Sequence, residues 1–117
     1  KLADYIRIFD ENDFHDVVLS AKSIDPRIVI KAYTAISEKW DYPQHLGVTH
    51  AGPKETGCIR SVVALGTLLA NGIGDTVRIS YASDPVLEVI DVTDMLNCVG
   101  SSWCRKCANG WRRSRRR

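Results

Sequence analysis

The sequence has no run of about 18 apolar residues, the length that a membrane-spanning helix requires. Its first residues also lack the basic, apolar and small-residue segments of a secretory signal. Its 117 residues are 44% hydrophobic and 26% charged, which is typical of one small globular domain. We therefore expect a chain without a membrane span, in a cytoplasmic setting.

Acidic residues are absent from residues 98–117, which carry seven of the 16 basic residues of the chain. Residues 1–97 hold the other nine together with all 14 acidic residues. The net charge of +2 is thus an average over an acidic body and a strongly basic tail. We predict two segments with this boundary.

The tail also lacks a complete set of metal ligands. Cys98, Cys104 and Cys107 supply three thiols, but a closed zinc or iron–sulfur site usually needs a fourth ligand, and none follows. Trp111 and the arginines after it could instead bind nucleic acid. The sudden enrichment in Cys, Trp, Ser and Arg favours a third interpretation, a non-native segment translated out of frame. We expect such a tail to be disordered and to hold no metal.

The body alternates between helical and strand patterns in the order αβαβαβα. Short apolar strands are predicted at 17–19, 45–49 and 76–81. Asp25-Pro26 and Asp84-Pro85 each follow a strand and resemble helix starts, with Asp as the N-cap and Pro in the first turn. Such alternation indicates parallel strands joined by right-handed crossovers.

Two of the helices have apolar residues at helical spacing, which predicts their buried faces. In the helix after the first strand these are Val29, Ala32, Tyr33, Ile36 and Trp40. In the helix after the second strand they are Ile59, Val62, Val63, Gly66, Leu69 and Ala70.

Polar residues recur at the strand ends at a fixed interval. Lys22, His50 and Arg78 lie 28 positions apart, close to the length of one strand and one helix. Either an open doubly wound sheet or part of a (β/α)₈ barrel would fit this order. Ser20 and Ser80 share a strand face with Lys22 and Arg78 respectively, which favours the barrel, because polar groups line its C-terminal mouth.

Three blocks of sequence resemble a known family. They are DVVLSAKSIDP (16–26), WDYPQHLGVTHAGP (40–53) and GTLLANGIGDTVRISYASDPV (66–86). All three are similar to the barrel domain of 4-hydroxy-3-methylbut-2-enyl diphosphate synthases, iron–sulfur enzymes of the methylerythritol phosphate route to isoprenoids. The similarity covers about residues 1–89. It implies that residues 1–97 form a partial TIM barrel of about three β/α units.

The resemblance also assigns roles to residues. It implies that Lys22, Arg78 and Ser80 bind the diphosphate of a cyclic diphosphate substrate, as suits an ammonium, a guanidinium and a hydroxyl. The family's catalytic acid is a Glu at the position of His50. A His can also donate a proton, but its charge and reach differ, so we expect impaired chemistry.

The family's reaction implies further components. It is the reductive opening and dehydration of 2-C-methyl-D-erythritol 2,4-cyclodiphosphate, with electrons from ferredoxin or flavodoxin. Three Cys and one Glu of a separate domain hold its [4Fe–4S] cluster, and family members are homodimers. The cluster ligands are absent from this chain, so we expect it to be a fragment that is inactive alone.

Two other functions remain open at this point. Another TIM-barrel enzyme acting on a phosphorylated substrate would share the basic strand ends, but it would not explain the block at 40–53. A non-enzymatic module could bind nucleic acid through the tail. The resemblance itself gives no reason to expect a nucleic-acid or membrane partner.

Overall fold

The computed structural model describes residues 1–49 and 52–100, so His50 and most of the predicted tail lie outside the described residues. The described part contains four helices and a two-stranded parallel sheet. In chain order these are α1 (Leu2–Glu11), α2 (Pro26–Lys39), β1 (His45–Gly47), α3 (Lys54–Ala70), β2 (Thr76–Arg78) and α4 (Pro85–Val99).

Both predicted Asp-Pro helix starts are confirmed. The Asp25 carboxylate accepts a hydrogen bond from the backbone N–H of Arg27 at 2.9 Å, and Asp84 accepts one from Val86 at 2.9 Å. In each case Pro occupies the first turn, where its missing N–H leaves no intrahelical bond unmade. The Arg27 guanidinium, which also bonds to Asp25, lowers the pKa of that carboxyl to about 2.

The second and third predicted strands form a parallel pair, but they are shorter than predicted. Partners across the pair are His45 with Thr76, Leu46 with Val77, and Gly47 with Arg78. After Arg78 the side chains continue to alternate as in a strand: Ile79 and Tyr81 are buried, whereas Ser80 is half-buried. The predicted division of this segment into an apolar and a polar side is confirmed.

The prediction of a regular strand at 17–19 is wrong. Leu19 forms a single parallel bridge with Gln44. One step further, where the ladder would join Ala21 N–H to the His45 carbonyl, the Tyr33 hydroxyl of α2 lies between them. It accepts from Ala21 at 3.0 Å and donates to His45 at 2.5 Å. The side chain replaces one rung of the sheet.

The predicted buried face of α3 is also wrong, except at Leu69. Ile59, Val62 and Val63 are exposed. The side that packs on the sheet and the neighbouring helices consists of Gly57, Ser61, Ala64, Leu65, Leu68 and Leu69. Because α3 carries apolar residues on two sides, spacing alone could not identify the buried side. The small residues of the buried side permit close packing there.

A single core joins the sheet to the helices. Leu46, Val48, Ile79 and Tyr81 point from the strand segments toward the helices, where Tyr33 and the buried side of α3 meet them. The helices α2 and α4 flank α3, so the described part is one sector of a layered α/β structure. No helix in residues 1–49 or 52–100 is long and apolar enough to cross a membrane.

The Tyr33 bridge predicts a stability change. Tyr33 is fully buried, so Tyr33→Phe keeps the packing but leaves Ala21 N–H without its partner and the His45 carbonyl with only its bond from Ser20 Oγ. We expect the free energy of unfolding to fall by about 1–3 kcal/mol, measured by urea denaturation. The control Tyr5→Phe alters an exposed ring and should change it little. An unchanged free energy of unfolding in Tyr33→Phe would show that Ala21 N–H and the His45 carbonyl form a direct hydrogen bond when the hydroxyl is absent.

The cap at Asp84 predicts a second change. Asp84→Ala removes the acceptor for Val86 N–H and should lower the free energy of unfolding by about 1 kcal/mol. Asp84→Asn keeps a side-chain oxygen at the N-cap and should cost clearly less. Thermal unfolding of both variants would test this order, and equal losses would mean that the carboxylate acts by its charge rather than as a cap.

Candidate functional site

The polar side of the strand segments forms a cavity of about 260 Å³. Its lining consists of Lys22, Gly47, Thr49, Arg78 and Ser80, together with Val48, whose side chain belongs to the core. These residues come from the segment before α2, from the end of β1 and from the end of β2. Three successive parallel segments therefore contribute to one site at their carboxyl ends, the usual position for a ligand in such folds.

The structure brings together three of the four predicted site residues. Lys22, Arg78 and Ser80 all line the cavity, although they are up to 58 positions apart in the chain. Lys22 and Arg78, the first and third residues of the 28-residue recurrence, thus line the same cavity. The middle member, His50, lies outside the described residues.

A carboxylate on α4 holds the guanidinium of Arg78 at one end. Arg78 Nη2 lies 3.4 Å from Glu88 Oε2, while Glu88 Oε1 accepts a hydrogen bond from Tyr81 N–H at 3.2 Å. The Glu88 side chain is 13% exposed and that of Arg78 is 63% exposed. Glu88 is thus a fixed partner that leaves most of the guanidinium donors free for a ligand.

Sequence reasoning missed Glu88 and Gly47. Glu88 stands in the first turn after the Asp84 cap, where an acidic residue is explained by the helix dipole alone. Gly47 lies two residues after His45 on the same strand face, so the two-residue period of a strand could have assigned it to the cavity. Thr49 follows by the same rule.

A second layer of polar side chains, here called the lower tier, lies on the same face as the cavity, two positions earlier along each strand segment. Ser20, His45 and Thr76 each precede a cavity residue by two positions, and His45 Nδ1 lies 2.8 Å from Thr76 Oγ1. Ser20 donates a hydrogen bond to the His45 carbonyl at 3.1 Å. Burial, and then the charges of Lys22 and Arg78, lower the pKa of His45. The imidazole therefore favours its neutral form beneath the two cations.

Another polar cluster lies on the helix side and does not reach the cavity. The Tyr81 hydroxyl donates to Asp91 Oδ2 at 2.6 Å, and burial with this contact raises the pKa of Tyr81. Burial and the same Asp91 also raise the pKa of the Cys58 thiol. A protonated thiol is a poor nucleophile. The hydrogen bond from Tyr81 to Asp91 joins α4 to the segment after β2.

Within residues 1–49 and 52–100, no group of three or more His, Cys, Asp or Glu side chains could hold a metal ion. The cavity offers instead an ammonium, a guanidinium and two hydroxyls. Those groups suit a compact anion with several oxygens, such as phosphate or diphosphate. The fold and the site together define a segment of an α/β protein whose strand ends present groups suited to an anion.

The comparison with known proteins identifies the family. A family model described as "GcpE TIM-barrel domain" matches residues 1–93. The curated relatives named "4-hydroxy-3-methylbut-2-en-1-yl diphosphate synthase (flavodoxin)" include proteins of Corynebacterium efficiens and Exiguobacterium sibiricum. The first is 51% identical over 82 residues, which cover 70% of this chain and 22% of the relative. The second is 43% identical over 96 residues, or 82% of this chain and 26% of the relative.

A further relative of the same name, from Geobacillus thermodenitrificans, is 46% identical over 96 residues, again 82% of this chain and 26% of the relative. The chain belongs to the GcpE TIM-barrel domain family, and the resemblance predicted from its sequence blocks is confirmed. It spans about a quarter of the length of these relatives.

The charges around His45 predict a measurable coupling. Lys22→Gln removes a cation that disfavours the imidazolium, so the pKa of His45 should rise toward its ordinary value of 6.5. Arg78→Gln should raise it by a smaller amount, because Lys22 has the larger effect. Proton NMR titration of the imidazole signals would measure both shifts.

The control for this titration is Lys31→Gln, which removes an exposed lysine of α2 that does not contribute to the shift. It should leave the pKa of His45 where it is. Loss of the His45 signal in a His45→Gln protein would assign the resonance. An unchanged pKa in Lys22→Gln would contradict the arrangement of the cavity and the lower tier.

Proposed function

We propose that this chain supplies the diphosphate-binding sector of the barrel in a 4-hydroxy-3-methylbut-2-enyl diphosphate synthase. The observation that carries the proposal is the convergence of Lys22, Arg78 and Ser80 on one cavity. Family membership supports it, since the curated relatives bear the name of this synthase. The proposed substrate is 2-C-methyl-D-erythritol 2,4-cyclodiphosphate.

The cavity groups divide the work of binding. The Lys22 ammonium is a compact charge that can approach any diphosphate oxygen, whereas the planar Arg78 guanidinium can donate two parallel hydrogen bonds to one phosphoryl group. The Ser80 hydroxyl, with Thr49 as a neighbour, adds a neutral donor. Such a set favours a doubly charged group over a single carboxylate, because two cations lie at one mouth.

The proposed reaction of the whole protein is the reductive opening and dehydration of the cyclic diphosphate. Its reductant would be flavodoxin, which the relatives' names mention, or ferredoxin. The residues described here do not fit the [4Fe–4S] cluster of the family, since they include no suitable group of ligands. We therefore assign to this sector substrate binding alone and expect no turnover from the isolated chain.

Position 50 bears on the chemistry of the complete protein. The resemblance implies a catalytic Glu there, and this chain has His50, which lies outside the described residues. Both groups can donate a proton, but an imidazolium brings a positive charge where a carboxylic acid brings none. We propose that His50 is a poor substitute for the acid.

Other properties remain predictions that follow from the resemblance. The homodimer is one of them; the cytoplasmic setting and the division of the chain into residues 1–97 and 98–117 are likewise predictions, but they rest on the composition and charge of the sequence. Nucleic-acid binding by the tail also remains a prediction. The basic residues of the tail, from Arg105 onward, lie outside the described residues.

Binding of inorganic pyrophosphate would test the proposed site. We expect the 117-residue chain to bind it at low ionic strength, as measured by isothermal titration calorimetry. Lys22→Gln and Arg78→Gln should each weaken the affinity by roughly tenfold or more, because a hydrogen bond to a charged group contributes about 1.5–3 kcal/mol. Ser80→Ala should have a smaller effect.

Lys31→Gln is the matched control, because it removes the same charge from the exposed side of α2. It should leave the affinity unchanged apart from a small long-range effect. Equal losses in Lys31→Gln and Lys22→Gln would show that pyrophosphate responds to net charge only, which contradicts a defined site.

A further inference from the structure

Gly47 lies where the Lys22 side chain crosses β1. A Cβ atom on Gly47 would lie 3.2 Å from Lys22 Cε and 3.6 Å from Lys22 Nζ. The same Cβ would lie 3.6 Å from the carbonyl oxygen of Arg78, its partner in the parallel pair. The absent side chain thus leaves the space that the lysine fills.

Backbone conformation does not explain this glycine. The glycines with positive φ in residues 1–49 and 52–100 are Gly52, Gly72, Gly74 and Gly100, and Gly47 is not among them. Glycine inside a strand weakens the strand and often marks the close approach of another group. Here the approaching group is the end of a lysine side chain, which rests on the strand.

We propose that Gly47 is a positioning residue that allows the Lys22 ammonium to lie across β1 beside Arg78. The inference rests on the proposed diphosphate site, to which it adds the group that places one of the two cations. A side chain at position 47 would point into the cavity and displace the lysine from β1, by a few tenths of an ångström for alanine and further for a larger residue. The ammonium would then move away from both Arg78 and the lower tier.

Three further groups define the surroundings of the lysine. His45 lies two positions before Gly47 on the same face, and the Lys22 charge lowers the pKa of its imidazole. Arg78 is fixed independently through Glu88 on α4. A change at position 47 should therefore alter the effect of Lys22 on His45 while the bond between Arg78 and Glu88 persists.

The test compares Gly47→Ala and Gly47→Val with the control Gly66→Ala. A Cβ on Gly66, in α3, would meet only Val99 Cγ2 at 3.8 Å, which is an ordinary contact. Gly47→Ala should raise the pKa of His45 slightly, because the lysine must give way by a few tenths of an ångström. Gly47→Val should raise it nearly as far as Lys22→Gln does, while Gly66→Ala leaves it unchanged.

Pyrophosphate affinity should follow the same order. Gly47→Val should lose roughly tenfold, close to the loss in Lys22→Gln, and Gly47→Ala should lose less. In a protein that already carries Lys22→Gln, adding Gly47→Val should cause no further loss, because both changes act through one ammonium. Thermal unfolding would confirm that each variant is folded, and Gly47→Ala provides the comparison if Gly47→Val is not.

Two results would overturn the inference. One is a pKa of His45 that stays at the wild-type value in both folded Gly47 variants. The other is an equal loss of affinity from Gly47→Val with and without Lys22. Failure of the wild-type chain to bind pyrophosphate would instead reject the proposed function, and the His45 titration would still decide whether Gly47 positions the lysine.

Discussion

The parallel register of β1 and β2 is the constraint on which the site depends. Because side chains alternate along a strand, pairing Gly47 with Arg78 places both on the cavity side, and pairing Leu46 with Val77 turns both toward the helices. A slip by one residue would bury Arg78 against α3 and α4 and expose the apolar side chains. The cost of burying an unpaired guanidinium therefore protects the geometry of the site.

The third segment of the site is held by a helix side chain rather than by a full ladder. Tyr33 of α2 spans the gap between Ala21 and His45, so the segment carrying Lys22 is fixed to both the helix and the sheet. Three further backbone bonds flank this bridge: Leu19 N–H to Pro43 and His45 N–H to Leu19 on one side, and Thr49 N–H to Ser23 on the other. The separation at the bridge is tolerated because the hydroxyl bonds to both backbone groups; without it Ala21 N–H would lose its partner and the His45 carbonyl would keep only Ser20 Oγ.

The sequence could predict features that depend on local chemistry or simple periods. The Asp-Pro caps at 25–26 and 84–85 and the alternation after Thr76 follow from such rules, and each was confirmed. The same rules placed Lys22 and Arg78 at neighbouring strand ends, and both line the cavity. The Tyr33 bridge could not be predicted, because it depends on the distance between a helix and two strands. The buried side of α3 could not either, since both of its apolar sides satisfy the helical period, and the packing of small residues decides between them.

The electrostatic balance of the cavity explains why its two cations are not equivalent. Glu88 accepts a hydrogen bond from Tyr81 N–H and is thereby fixed, so it orients the Arg78 guanidinium. The negative charge of Glu88 also offsets part of the attraction of Arg78 for an anion. No carboxylate among the described residues forms an ion pair with Lys22. An arginine that is ordered before binding loses less entropy when the anion arrives, whereas a free ammonium supplies the stronger Coulomb attraction. Because its pKa is lowered, the His45 imidazole below adds little positive charge, so in the proposed site Arg78 mainly orients the anion and Lys22 mainly attracts it.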